Sequence, residues 1–189
     1  GATPIQAALR NGDAQTGVSI ILMDSGMDTG PLVLQEPIAI ESDDNYGALH
    51  DRLANVGARL ISHAIDLAAE ENLGPRAQEG EPSVTRPLSK EDLTIDWFWP
   101  GMRIVNAVRS LSPEPAARAQ IGNIHVKLLQ VKQDDRTKDG ARPGEMIDHD
   151  DMLAVACGDG VVQVEELIPA SRSKMSGAQF KRWLKARAP

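Results

Sequence analysis

The hydrophobic pattern of this chain shifts from a helical to a strand period between its long helix and the stretch beyond Pro115, and that shift limits its fold more than any other feature. Tyr46, Leu49, Leu53, Val56, Leu60, Ala64 and Leu67 recur at steps of three and four, which lays one apolar stripe along a long helix. Asp43, Asp44 and Asn45 precede the stripe, where they can receive the free N–H groups of a first turn and favour the helix dipole. Further on the period becomes two: Ile124, Val126 and Leu128 alternate with polar residues, as expected of a half-buried strand. Residues 71–90 separate the two regimes. They form a polar, aperiodic stretch punctuated by Gly74, Pro75, Gly80, Pro82 and Pro87, which reads as an interdomain linker.

The remaining elements follow from local signals. Pro4 opens a short helix, where its missing N–H costs nothing, and Gly12 closes it. Gly17–Met23 is a β-branched apolar run suited to a buried strand, and Pro31–Gln35 reads as another. Met102–Leu111 predicts a helix stopped by Pro113 and Pro115. Residues 151–156 and 161–164 flank Cys157-Gly-Asp-Gly160, whose Asp-Gly step suits a tight hairpin turn. Ser176, three residues before Gln179, matches a capping box at the start of a basic helix. The first part is therefore α/β, and the second a small β-meander or barrel closed by a helix.

Composition excludes several classes. With 41% hydrophobic residues the chain can build a core, and with 3% aromatics it cannot bind single strands along a row of stacked rings. Cys157, alone, forms no internal disulfide and no Cys-rich zinc site, so a reducing compartment is the default. No apolar run approaches the roughly 18 residues of a membrane span, and the opening Gly1–Gln6 lacks the features of a signal peptide. The expected location is cytoplasmic. Charge is uneven: residues 1–84 carry four basic side chains against thirteen acidic ones, and residues 85–189 sixteen against fourteen. The last nineteen residues hold six basic groups and no acid, either a solvated helical face or a patch that attracts phosphate backbones.

Chemistry is most expected in the loop after the first strand, where Asp24 and Asp28 flank a Gly-containing turn. A carboxylate at the end of a buried strand, partly desolvated, can hold an imidazole or accept a proton from an amine. An Asx-turn explains the same residues without chemistry. The loop lacks the ligand spacing of a calcium site. Asp148-His149-Asp150-Asp151 superficially suggests a metal, but consecutive residues in an extended loop point apart, so a polar hairpin tip is expected instead. His50 and His63 are expected on the long helix as surface or boundary groups, and Cys157 in the core. No dinucleotide, P-loop, H-E-x-x-H or nucleophile-elbow motif occurs.

Taken in order, Gly1-Ala-Thr-Pro-Ile-Gln6, Thr16-Gly-Val18, Met23-Asp-Ser-Gly-Met-Asp-Thr-Gly30, Ser89-Lys-Glu-Asp92, Ile95-Asp-Trp97, Asn106-Ala-Val-Arg109, Gly158-Asp-Gly160 and Met175-Ser176 resemble the methionyl-tRNA formyltransferase family over nearly the whole chain. The resemblance implies an α/β fold class: the C-terminal part of a Rossmann-like formyltransferase domain (1–73), a linker (74–90) and an OB-like β-barrel domain that binds tRNA (91–189). It implies transfer of a formyl group from 10-formyltetrahydrofolate to the amino group of methionyl initiator tRNA in translation initiation, with Asp28 catalytic and no metal. The family's catalytic Asn and His and its Ser-Leu-Leu-Pro folate motif lie upstream of the segment that stands here at residue 1. The chain is therefore expected to be a downstream piece, inactive by itself. Lys90, Arg109, Arg172, Lys174, Lys181, Arg182 and Lys185 are the implied tRNA contacts, although Lys90 and Arg109 can alternatively pair with Asp92 or Asp96. The full-length protein is expected to be a monomer without membrane contact. One departure is Pro113-Glu114-Pro115, where many relatives have Pro-Trp-Pro. The alternatives are a folate-dependent formyltransferase acting on an amino sugar, a formyl-folate hydrolase, or a non-catalytic RNA-binding module.

Overall fold

Pro4 and Gly12 bracket the first helix, α1 (Pro4–Asn11), with Pro4 in its first turn and Gly12 in the left-handed conformation that ends it. The computed structural model to which this helix belongs describes residues 2–148 and 151–187. Strands β1 (Gln15–Ile21) and β2 (Leu32–Ala39) follow and pair antiparallel, with Val18 opposite Glu36. This corrects the expected buried strand over Gly17–Met23. The pairing stops at Ile21, alternate residues of β1 face solvent, and Met23 is 93% exposed. The reason is that α2 (Tyr46–Ala69) packs on the hairpin from one side, so only every second side chain is covered. Among the described residues this hairpin is the whole sheet of the first part, and the parallel pairing of a Rossmann-like sheet is not seen there.

The helix α2 keeps the predicted stripe: Leu49, Leu53, Leu60 and Ala64 are buried. Its cap is Asn45, whose side chain accepts from the Ala48 N–H at 3.0 Å. Asp44 serves differently. It is buried, accepts from the Glu41 N–H at 2.8 Å and pairs with Arg52. Leu9, Leu49 and Leu53 form a small core with Ile5, Val18, Ile38, Ile40 and Tyr46 around it.

The chain then runs extended and returns along the first part. Leu32 and Arg76 exchange backbone hydrogen bonds at 2.8 and 2.9 Å. Thr3 donates its N–H to Thr85 Oγ1 and its hydroxyl to the Arg86 carbonyl. Asp92, in a single 3₁₀ turn (Glu91–Leu93), closes the connection. It receives the Ser89 N–H at 2.7 Å, both terminal nitrogens of Arg86 at 2.6 and 2.9 Å, and Arg10 Nη1 from α1 at 3.4 Å.

The second part holds α3 (Gly101–Leu111) and strands β3 (Ala117–Ile121), β4 (Ile124–Asp134), β5 (Met146–Ile147), β6 (Leu153–Ala156), β7 (Val161–Pro169) and β8 (Met175–Ser176), followed by α4 (Gly177–Lys185). The strands pair antiparallel in the order β3-β4-β7-β6-β5, with β8 added beside β7. Register irregularities beside Gln130 let the long β4 bend so that the sheet curls. The core beneath it joins Ile104, Val108 and Leu111 of α3 to Leu128, Leu153, Val164, Leu167 and Phe180. An OB-like barrel requires the sheet to close, whereas β3 and β5 have no pairing with each other among the described residues.

Local signals in this part act as read. Ser176 Oγ accepts from the Gln179 N–H at 3.2 Å, and Gln179 Oε1 accepts from the Ser176 N–H at 2.8 Å. Gly177 follows because a Cβ there would lie 2.0 Å from the Val164 carbonyl oxygen. Cys157 is buried, and burial pushes its thiol above the ordinary range. No helix among the described residues is long and apolar enough to cross a membrane.

Hydrogen bonds from Arg86 and the Ser89 N–H hold the Asp92 carboxyl well below the usual carboxylate range. Asp92→Ala should destabilise the chain by about 1–2 kcal/mol and lower the melting temperature by about 4 °C. Because the folded pKa is depressed, this contribution is complete above the unfolded carboxyl pKa of roughly 4 and fades as pH falls below it. Melting curves of variant and parent should therefore converge toward acid; a constant gap would exclude the ionic cause.

Candidate functional site

The loop between β1 and β2 separates its two carboxylates by role. Asp24 Oδ1 accepts from the Gly26 N–H at 3.0 Å and from Thr29 Oγ1 at 2.7 Å. The Asx-turn reading is therefore realised at Asp24. These bonds, the Thr29 hydroxyl first, pull its carboxyl below the ordinary value, the reverse of a base primed by desolvation. Asp28 is exposed and in the left-handed conformation, φ 58°. The Gln78 side-chain amide donates to the carbonyls of both Asp28 and Gly30 at 2.8 Å. Gly30 is buried, and a Cβ there would lie 1.7 Å from the Leu22 carbonyl oxygen, so only glycine lets the loop ends approach. The expected partly desolvated setting is thus corrected: both carboxylates stand on an exposed loop, and neither lines the grooves of about 740 and 750 Å³.

The expected RNA contacts scatter. Lys181 is buried, its Nζ held by the Met152 carbonyl at 3.2 Å and Asp148 at 3.1 Å. Lys185 shares Asp148 at 3.2 Å, and Lys174 pairs with Glu166 at 3.1 Å. Arg109 is half-buried on α3, with Nε on Asn106 Oδ1 and Nη1 on the Glu41 carbonyl. Burial lowers its pKa, with Asp44 opposing that effect. It pairs with neither Asp92 nor Asp96: Arg10 and Arg86 occupy the first, and the second receives the Phe98 N–H. The groove of about 740 Å³ that Arg109 lines also contains Asp43, Asp44, Glu165 and Glu166, an unfavourable wall for a polyanion.

Arg172 differs. It lies 4.6 Å over the Trp183 ring and lines a second groove, of about 750 Å³. That groove also contains Arg118, His125 and Lys127, together with Ser171 and Ser173, and no carboxylate. Arg118 on β3 stands directly opposite Lys127 on β4, and Gln120 opposite His125, all on the exposed face. Lys90 lies near that strand: its carbonyl accepts from Thr94 Oγ1, and Thr94 bridges to Arg118. Arg182 is exposed on α4. Sequence reasoning missed Arg118, His125 and Lys127. The signal was the alternation itself, since residues 118 and 120, and 125 and 127, must share a face. Gln78 gave no signal at all.

Among the described residues no group of three or more His, Cys, Asp or Glu side chains is placed to hold a metal. His149 and Asp150 of the polar cluster lie outside the described residues.

Residues 87–184 match the family model for the formyl transferase C-terminal domain, and residues 1–65 match that for formyl transferase. The chain belongs to the formyl transferase family. It is 35% identical over 188 residues to the methionyl-tRNA formyltransferase of Parvibaculum lavamentivorans, covering 96% of this chain and 59% of that protein. The chain thus spans about three-fifths of the length of the curated relatives it matches. Two solved structures share the fold. HypX from Aquifex aeolicus superposes with a TM-score of 0.75 at 14% identity, over 99% of this chain and 34% of that one. The N-formyltransferase from Helicobacter canadensis in complex with folinic acid and dTDP-3-aminofucose gives 0.64 at 17% identity, over 85% and 59%.

Gln78 is the clamp on the Asp28 loop. Gln78→Ala should raise amide exchange in residues 26–30 by about tenfold while the melting temperature changes little. Unchanged exchange would show that the loop holds itself.

Proposed function

We propose that the protein to which this chain belongs is a methionyl-tRNA formyltransferase, moving a formyl group from 10-formyltetrahydrofolate to the amino group of methionyl initiator tRNA. The observation that carries this reading is the 35% identity to a methionyl-tRNA formyltransferase across 96% of the chain. Residues 1–73 are then the formyltransferase portion, 74–90 the linker and 91–189 an OB-type, tRNA-binding domain. The location is cytoplasmic.

Asp28 is the proposed catalytic residue. The aminoacyl nitrogen attacks the formyl carbon, a new C–N bond forms, the bond to the folate nitrogen breaks, and the amine proton must leave. A carboxylate takes up or relays that proton and stabilises a neighbouring imidazolium. The exposed loop suits this because a bulky aminoacyl-tRNA needs an open approach. Gln78 and Gly30 hold the backbone so that Asp28 is presented from a fixed loop. Of the basic residues, Lys90, Arg172 and Arg182 are proposed as phosphate contacts. Lys174 and Lys185 join by exchanging a carboxylate for a phosphate, while Arg109 and Lys181 have structural roles.

The amino-sugar alternative draws on the fold likeness to the Helicobacter canadensis enzyme, which is complexed with a nucleotide sugar. Identity favours the tRNA reading, 35% against 17%. In the complete gene product, Asp28→Asn should lower formyl transfer to methionyl-tRNA about a hundredfold or more without changing the melting curve. Normal turnover would remove Asp28 from the reaction. With methionyl-tRNA and a nucleotide amino sugar supplied together, the formyl label should appear on the tRNA; label on the sugar would replace this reading with the alternative.

A further inference from the structure

Residues 74–80 return from α2 to the start of β2, bounded by Gly74 at φ 50° and Gly80 at φ 91°. Between them Arg76 anchors the segment twice. Its backbone exchanges hydrogen bonds with Leu32, and its Nη2 donates to Gln35 Oε1 at 3.2 Å. Gln35 in turn donates to Ser19 Oγ at 3.1 Å, so both strands of the hairpin hold the anchor. In extended chain, residues two apart share a face, and the anchor at Arg76 thereby aims Gln78 at the neighbouring loop. The two protons on Gln78 Nε2 go to the carbonyls of Asp28 and Gly30, each at 2.8 Å. Those carbonyls bracket Thr29, whose hydroxyl is bonded to Asp24. Asp28 itself is left-handed, φ 58°, a conformation that a non-glycine residue keeps only where its surroundings dictate it. Gln78 belongs to neither matched family region, since the first ends at residue 65 and the second begins at 87.

We propose that Gln78 is a positioning residue for formyl transfer, so that the connection between the two parts belongs to the catalytic machinery and is no mere spacer. The inference rests on the reading of Asp28 as catalytic, and deepens it by naming what sets the position of that carboxylate. Holding the Asp28 carbonyl fixes the peptide plane that follows Asp28, and holding the Gly30 carbonyl fixes the far end of the same short step. A backbone rotation that would swing the carboxylate is resisted at both ends. Chemistry is sensitive to such swings: a misplacement of about 1 Å can cost on the order of a hundredfold in rate. Gln78 and the loop are exposed, so these two bonds add little to global stability. What they change is the share of time that the loop spends in the reactive arrangement. The far end of the connection is tied to Asp92 through Arg86, so the second part and the Asp28 loop share one strap.

The test measures steady-state formyl transfer to methionyl initiator tRNA, with melting curves, for the complete gene product and its Q78A, Q78E, D28N and D28N/Q78A variants. Q78A should lower kcat about tenfold and leave KM for both substrates within about twofold. Q78E keeps the shape of the side chain but sets an acceptor oxygen against two carbonyls, so its kcat should fall about thirtyfold. Both melting temperatures should stay within about 2 °C of the parent. Added to D28N, Q78A should cost less than about twofold more, because the group it positions is already gone. Normal kcat in Q78A and Q78E, with D28N impaired, would overturn the positioning role and leave Asp28 in the reaction. So would a rise in KM at constant kcat, or a tenfold loss that persists in full on top of D28N. A kcat loss accompanied by a melting temperature lowered by about 5 °C or more would make Gln78 a structural residue and overturn the proposal. Normal turnover by D28N, or a parent that forms no formyl-methionyl-tRNA, would overturn the underlying reading and this inference together.

Discussion

The carboxylate of Asp92 gathers donors from three pieces of chain. Arg10 reaches it from the first helix, Arg86 from the extended connection, and the Ser89 N–H from the turn that leads into the sheet. An aspartate with several donors around it loses little by leaving water, and each donor is worth more for being charge-assisted. The two parts also meet where α1 packs on α3 and where Arg109 donates to the Glu41 carbonyl. The connection between them is not a free tether. It is pinned at Arg76, Gln78, Thr85 and Arg86 before it reaches Asp92.

Much of the local structure was legible in the chain. The stripe along α2, Asn45 as its cap, and the Ser176–Gln179 box depend on residues within a turn or two of one another, so spacing alone reveals them. Pairing choices were less legible. Nothing near Val18 says that its neighbour will be Glu36 on an antiparallel strand with one open face, because that depends on what covers the hairpin. Closure of the sheet is hard to read for the same reason: alternation predicts strands but not which edges meet. The site divides along the same line. The Asp24–Gly30 loop was visible as a turn, yet the assignment of Asp24 to holding the loop came only with the Thr29 and Gly26 bonds. The clamp by Gln78 depends on a contact fifty residues away in sequence.

Charge was legible as an average and misleading residue by residue. Six basic groups at the chain's end suggested a continuous patch, but Lys181 is buried on Asp148, and Lys174 and Lys185 are already paired. The cations left without carboxylates include two on strands, Arg118 and Lys127, which a composition count spreads among fourteen neighbouring acids. Whether a strand cation is neutralised therefore depends on the sign of the residue across the strand. A linear sequence does not display that.

Arg172 occupies two environments at once, since it lines the basic groove and lies over the indole of Trp183, with Arg187 at 4.9 Å from the same ring. An indole excited by ultraviolet light is sensitive to the electric field of charges held against it. Any anion that draws the Arg172 guanidinium away changes that field and with it the colour and yield of the emitted light. The molecule thus carries an indole whose emission reports where the Arg172 guanidinium lies.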